Sequence, residues 1–176
     1  MLIISMVIFG TLGIFTRNIA ISSGELALYR AILAAVLIFV YLIVTKQKTD
    51  FRSIKKELLL LLLSGTAMGI NWILLFEAYK YTTISAATLS YYFAPVIVIV
   101  ACPILFKEKL SGRQMICFLM SALGLVLITG IGDLRNDNDF IGILFGLGAA
   151  LFYAAVILLN KFIKNVEGIY RTFLQF

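Results

Sequence analysis

Leu28-Tyr29-Arg30-Ala31-Ile32-Leu33 returns near the other end of the chain as Ile169-Tyr170-Arg171-Thr172-Phe173-Leu174, at an offset of 141 residues. Arginine inside an apolar run is costly in lipid and rare, so a shared Tyr-Arg pair in an apolar frame signals an internal repeat. Upstream, Ile8-Phe9 through Thr16-Arg17-Asn18 lines up more loosely with Leu151-Phe152 through Leu159-Asn160-Lys161, at an offset of 143.

The surrounding composition fixes the solvent. Of 176 residues, 62% are hydrophobic and 14% charged, and mean hydropathy is +1.04. Soluble domains hold about 45–50% apolar and about 25% charged residues, and a soluble core of this size cannot hide the excess. That excludes a cytosolic enzyme, a secreted disulfide scaffold, a disordered chain and a nucleic-acid binder. A helix needs about 20 apolar residues to cross a bilayer. Six runs qualify, near 2–21, 26–45, 58–79, 84–106, 114–131 and 140–160. The expected fold is all-α: a polytopic helical membrane protein with six transmembrane helices and the start of a seventh from about residue 169.

The first run lacks the basic leader and small-residue cleavage site of a signal peptide. Ser111-Gly112-Arg113-Gln114 has the spacing of a capping box at the start of the fifth run. Gly130 and Gly132 would end that run. Cys102 and Cys117 lie in separate apolar runs and read as small buried hydrophobes. The sequence has no histidine, which removes the commonest general base and metal ligand, and nothing in it calls for a metal or a cofactor.

Basic residues set the orientation. Lys46, Lys48, Arg52, Lys55, Lys56, Lys107, Lys109, Arg113, Lys161 and Lys164 fall on one side if the helices alternate, against Arg17, Lys80 and Arg135 on the other. The positive-inside rule then places the N-terminus in the cytoplasm of a multi-pass protein of the plasma membrane.

Residues 1–131 would make one five-helix unit, and 132–176 the opening of a second. Five is odd, so the second copy starts from the opposite side of the membrane. This is an inverted-topology repeat, the architecture of many secondary transporters. On that reading the chain stops one turn into its seventh helix, and a complete polypeptide would have on the order of 290 residues.

Phe76-Glu77-Ala78-Tyr79-Lys80-Tyr81-Thr82-Thr83, then Ser85-Ala86-Ala87 and Pro95, resembles the third-to-fourth helix region of EamA-type permeases of the drug/metabolite transporter superfamily. Phe106-Lys107-Glu108-Lys109-Leu110-Ser111, then Gln114 and Gly124, is similar to that family's acidic loop and fifth helix, and Leu28-Tyr29-Arg30 to the start of its second. The first run departs from the pattern, with Gly10-Thr11-Leu12-Gly13 where a tryptophan often stands. The resemblance implies ten helices in two inverted repeats, a central cavity, and movement of small metabolites without nucleotide hydrolysis.

Arg30 lies about 6 Å inside its helix end at 1.5 Å per residue. It either faces the cavity, holding an anionic group or closing a gate, or snorkels to the headgroups beside Glu25. Arg171 would be its counterpart near the other face. Asn160 and Lys161, with Arg17 and Asn18, either border the cavity or cap helix ends. Asn71 and Trp72 lie mid-run, and a mid-membrane asparagine must find either another helix or a substrate. Glu77 and Lys80, three residues apart, read as a local ion pair.

Ser85, Thr88, Tyr92 and Pro95 recur at helical spacing on one face, with Tyr91 adjacent. Pro95 removes a backbone donor and should kink the helix. The freed carbonyl, with hydroxyls beside it, suits a neutral or zwitterionic small molecule; the other reading is a packing kink with internally bonded polar groups. Gly65/Gly69 and Gly142/Gly146 are Gly-x-x-x-Gly pairs for close helix packing.

The expected function is secondary transport of a small metabolite, amino acid or drug-like compound by alternating access, with the bilayer and a small-molecule substrate as partners. A non-transporting scaffold, or a half-unit needing a second copy or a missing C-terminal half, is the alternative. A membrane-embedded enzyme is the third and least favoured reading, since the sequence offers no histidine, midplane carboxylate pair or metal cluster.

Overall fold

Lipid offers the backbone no hydrogen-bond partner, so a chain of this composition must satisfy its amides within helices. The computed structural model describes residues 21–45, 51–107, 111–129, 137–164, 166 and 168–176. The elements among them are all helical: α1 (Ser23–Thr45), α2 (Phe51–Tyr81), α3 (Ile84–Tyr91), α4 (Ala94–Phe106), α5 (Gly112–Thr129), α6 (Asp137–Phe162) and α7 (Gly168–Gln175). Four stretches among the described residues are long and apolar enough to cross a membrane: Ser23–Thr45, Ile54–Tyr81, Ile84–Phe106 and Asn138–Phe162. They match the second, third, fourth and sixth runs. The fifth run is the 18-residue helix α5, and α7 is an eight-residue helix beginning at Gly168. The first run, Glu108 and the Gly130–Gly132 stop signal lie outside the described residues.

Two helix starts are set by capping boxes. The expected one forms before α5, where the Ser111 N–H donates to Gln114 Oε1 at 2.8 Å and the Arg113 N–H to Ser111 Oγ at 3.3 Å. The other lengthens α1 relative to the 26–45 expectation. The Ser22 N–H donates to Glu25 Oε2 at 2.9 Å and the Glu25 N–H to Ser22 Oγ at 3.2 Å. This is the Ser-x-x-Glu spacing of the motif. Glu25 is thus engaged at its own helix start.

The fourth run is two helices. Pro95 sits in the first turn of α4, where its missing N–H would have had no intrahelical acceptor. The kink expected at Pro95 is therefore a break just upstream of it. The Tyr92 N–H still reaches Thr88 O at 2.9 Å, but the Phe93 N–H tightens to Ser90 O at 3.2 Å.

Helix α6 lies antiparallel to α2. Thr82 Oγ1 donates to Asp139 Oδ1 at 3.0 Å at one end, Ser64 Oγ to Asn160 Oδ1 at 3.3 Å further along, and the Lys164 N–H to Glu57 Oε1 at 2.9 Å at the other end. Against α3 and α4 it runs parallel, from Gly146 beside Ser90 to Phe162, whose ring is 5.0 Å from that of Phe106. Small residues make this approach possible. A Cβ on Gly146 would lie 2.7 Å from Ser90 Cβ, one on Gly142 would lie 2.6 Å from Thr82 Cβ, and Ala149, Ala150 and Ala154 are buried. Between helices in lipid, association rests on such van der Waals contact and on interhelical hydrogen bonds.

Helix α7 starts at Gly168, in a left-handed conformation (φ 60°), and runs alongside α2 and antiparallel to α1. Ile169 and Thr172 border a small gap with Leu37 and Tyr41, Phe173 stacks on Phe39 at 6.0 Å, and Phe176 meets Trp72 at 5.3 Å. The outer face of α1, with Leu33, Leu37 and Val44, is exposed. Both cysteines are free; Cys102 is half-buried, but Cys117 is exposed rather than buried as expected, because α5 packs through another face.

Candidate functional site

Helix α2 supplies the centre of the site. Asn71 is ten residues from the Tyr81 end of the helix, about 15 Å at 1.5 Å per residue and so close to the middle of a hydrocarbon core about 30 Å thick. Its side chain is fully buried, and neither Oδ1 nor Nδ2 has a hydrogen-bond partner among the described residues. The Tyr91 hydroxyl is a neighbour of this amide without the geometry of a hydrogen bond. A buried amide left unsatisfied costs about 1–3 kcal/mol, so these two atoms are a place where a polar partner would be stabilising.

Around Asn71 the helices bring together a cation and a set of aromatic groups. Arg30 of α1 places its Cζ 4.4 Å from the centre of the Trp72 ring, within the distance for a cation–π interaction. No carboxylate pairs with Arg30 among the described residues; the Glu25 pairing weighed from the sequence is not made. Tyr79 and Tyr91 are both within electrostatic reach of the guanidinium. Tyr79 Oη and Thr88 Oγ1 are 3.4 Å apart, and the Tyr91 ring is 5.3 Å from that of Tyr153 on α6. Trp72, Tyr79 and Tyr91 are each buried. Helices α1, α2, α3 and α6 thus surround a region near mid-membrane with one cation, one free amide, three phenols and an indole face.

The other expected residues lie elsewhere. Tyr92 is 50% exposed and Pro95 is exposed, since the break after Tyr91 turns them from the face carrying Thr88. The single face drawn from Ser85 to Pro95 is therefore interrupted: Thr88 and Tyr91 point inward, and Tyr92 and Pro95 outward. Asn160 and Arg171 form a second constellation, at the Glu57 end of the bundle. Arg171 donates through Nε to Val166 O at 2.8 Å, through one terminal nitrogen to Ile163 O at 2.8 Å and through the other to Asn160 O at 3.4 Å. Asn160 O lies in the last turn of α6, Ile163 O just past it and Val166 O in the connection to α7, and a guanidinium beside the helix end suits its unused carbonyl lone pairs and the helix dipole. Gln175 Nε2 donates to Ser64 Oγ at 2.7 Å and to Asn160 Oδ1 at 2.6 Å. This constellation is satisfied from within. Glu77 and Lys80 form the expected local pair, at 2.9 Å.

Tyr79, Tyr153, Ser64 and Gln175 were not singled out by sequence. Tyr79 had a signal, since it follows Trp72 by seven residues and so shares its helix face. Tyr153 had none, being a single aromatic in an apolar run. Ser64 and Gln175 are 111 residues apart, and only the packing of α7 on α2 joins them.

A membrane-spanning helix bundle with a polar and aromatic centre, and no cluster of metal-ligating residues among the described ones, defines the class as a multi-pass membrane protein. The chain belongs to the EamA-like transporter family, whose sequence profile matches residues 1–130. It is 34% identical over 177 residues to the uncharacterized transporter YxxF of Bacillus subtilis, a match covering 99% of this chain and 57% of that protein. It is 29% identical over 133 residues to the uncharacterized inner membrane transporter YhbE of Escherichia coli K12, covering 72% of this chain and 41% of the relative. The same figures hold for YhbE of Shigella flexneri. The chain thus spans about half the length of the curated relatives it matches. No solved structure matches it.

Proposed function

We propose that this chain carries the substrate-holding half of a secondary transporter that moves a small metabolite by alternating access. The observation that carries this reading is the Asn71 amide, buried near mid-membrane with both polar atoms unsatisfied among the described residues. Beside it, Arg30 offers a positive charge, Tyr79 and Tyr91 offer hydroxyls, and Trp72 a flat apolar surface. Such a set suits a small organic molecule with one anionic group, one neutral polar group and an apolar portion, the chemistry of an amino acid or a related metabolite. Nothing in the set supplies a nucleophile or a general base at neutral pH, which favours movement of the molecule over its conversion.

The fold supports the conformational part of the reading. Helices α1 and α7 run antiparallel and each carries the Tyr-Arg pair near its start, as an inverted repeat requires. The break between Tyr91 and Ala94 supplies a hinge within the site, and α6 is fastened to α2 by separate polar contacts at its two ends, so that one end can release while the other holds. In this account the Glu57 end, with its basic residues, faces the cytoplasm and the membrane is the plasma membrane.

Trp72 is the sole tryptophan, so its emission reports on the site directly. Titration of the protein in lipid nanodiscs with amino acids and small carboxylates should give a saturable change for one chemical class, lost in Arg30→Ala. An emission indifferent to the whole panel, or a response unchanged in Arg30→Ala, overturns the assignment.

A further inference from the structure

Arg30 has no counter-charge at its own level of the bundle. Of the nine acidic residues in the chain, three stand near helix ends and are engaged there. Glu25 accepts from the Ser22 N–H and hydroxyl at 2.9 Å each, Glu57 from the Lys164 N–H at 2.9 Å, and Asp139 from the Thr82 hydroxyl at 3.0 Å. Asp137 opens α6. Glu77 is paired with Lys80 at 2.9 Å. It lies six residues beyond Asn71, about 9 Å along the helix at 1.5 Å per residue, and on another face. Asp50, Glu108, Asp133 and Glu167 fall between the helices in sequence. Residues 1–20, outside the described ones, contain no Asp or Glu, and their one charged side chain, Arg17, repeats the sign of Arg30. Wherever that run packs, it adds no carboxylate to the site.

Aromatic faces are the other means of holding a cation, and those around Asn71 already have neighbours. Trp72 carries the Arg30 guanidinium at 4.4 Å and meets Phe176 at 5.3 Å. Tyr91 lies 5.3 Å from the ring of Tyr153 and 6.1 Å from that of Tyr92. The groups that remain are polar and neutral. They are the buried Asn71 amide, without a hydrogen-bond partner among the described residues, and the phenols of Tyr79 and Tyr91, both within electrostatic reach of Arg30.

We infer that the small molecule held at this site is an organic monoanion: a carboxylate whose second polar group is uncharged, a hydroxyl or an amide, and not a zwitterionic amino acid. This assignment rests on the proposed function and narrows it. A carboxylate at Arg30 neutralises the buried cation, and a hydroxyl or amide beside it can both donate to Asn71 Oδ1 and accept from Asn71 Nδ2. An ammonium in the same place would leave water for a site with no carboxylate to receive it and a guanidinium of like sign nearby. Burying a charge without a counter-charge is strongly unfavourable, and the single Asn71 oxygen does not satisfy three ammonium donors.

The test compares ligands of matched size that differ only in this group. The full chain in lipid nanodiscs is titrated with alanine, leucine and phenylalanine, each beside its α-hydroxy acid (lactate, leucate and phenyllactate) and its amino-acid methyl ester, with Trp72 emission as the readout. For at least one side chain the hydroxy acid should bind saturably and about tenfold or more tighter than the amino acid. The methyl ester, a cation without a carboxylate, should give no response, and Arg30→Ala should abolish binding of the hydroxy acid. An amino acid or methyl ester that binds as tightly as the hydroxy acid, with binding lost in Arg30→Ala, overturns the monoanion assignment and leaves the proposed function standing. No saturable response to any member of the panel, or binding unchanged in Arg30→Ala, overturns both.

Discussion

Arg30 rests on Trp72 across the α1–α2 interface, with 4.4 Å between the guanidinium carbon and the centre of the indole ring. Neither is held there by a carboxylate among the described residues, so the cation's charge remains available to an anionic group. Replacing Arg30 by alanine should weaken substrate binding by about ten- to a hundredfold, the equivalent of about 1.5–3 kcal/mol for a charged hydrogen bond. Arg30→Lys should keep part of it. Calorimetric titrations in lipid nanodiscs check this, and wild-type affinity in Arg30→Ala counts against a binding role.

Trp72→Phe should retain binding better than Trp72→Ala, because a ring face still supports the cation, with about 0.5–2 kcal/mol at stake. Substrate-induced shifts in thermal unfolding compare the two variants. Equal loss in both would show that the ring face is not what holds Arg30.

Gly146→Val should destabilise the bundle by about 1–3 kcal/mol, the usual cost of overpacking, because its Cβ would lie 2.7 Å from that of Ser90 and 3.1 Å from Ala87 O. Gly69→Ala is the control, with no atom of the described residues within 4 Å of its Cβ. Thermal unfolding in detergent should separate them; equal midpoints would show that α6 does not press on α3 as described.

The helices were largely legible in the sequence, since lipid imposes a length and a polarity that apolar runs display openly. The Ser111–Gln114 box and the Glu77–Lys80 pair were legible too, because both are local. The division of the fourth run was legible only in part. Pro95 announced a disturbance, but its placement in a first helical turn depends on where the upstream helix ends, and that displaced Tyr92 and Pro95 from the site. Arg171 was legible as a cation near the other face but its partners were not: Asn160 O, Ile163 O and Val166 O come from the last turn of α6 and the connection that follows it. Arg30, in the matching Tyr-Arg pair, reads identically and lies on an indole instead. Such differences are tertiary, and one sequence alone does not carry them.

Arg171→Ala should loosen the end of α6 by about 1–3 kcal/mol through unsatisfied carbonyls, seen as faster amide exchange across residues 160–166 at unchanged substrate affinity. Arg171→Lys should recover part of the protection. A variant with native exchange but weakened binding would instead make Arg171 a substrate contact.

The central claim is that Asn71 is kept for the substrate at the expense of the fold. Asn71→Val removes both unsatisfied amide atoms, and exchanging an unpartnered polar group for an apolar one is neutral to stabilising. The decisive measurement is substrate affinity and unfolding temperature side by side, in lipid nanodiscs, for the wild type and Asn71→Val. The account predicts an unfolding temperature equal or higher and binding lost. An unfolding temperature that falls sharply, or binding that survives, would contradict it.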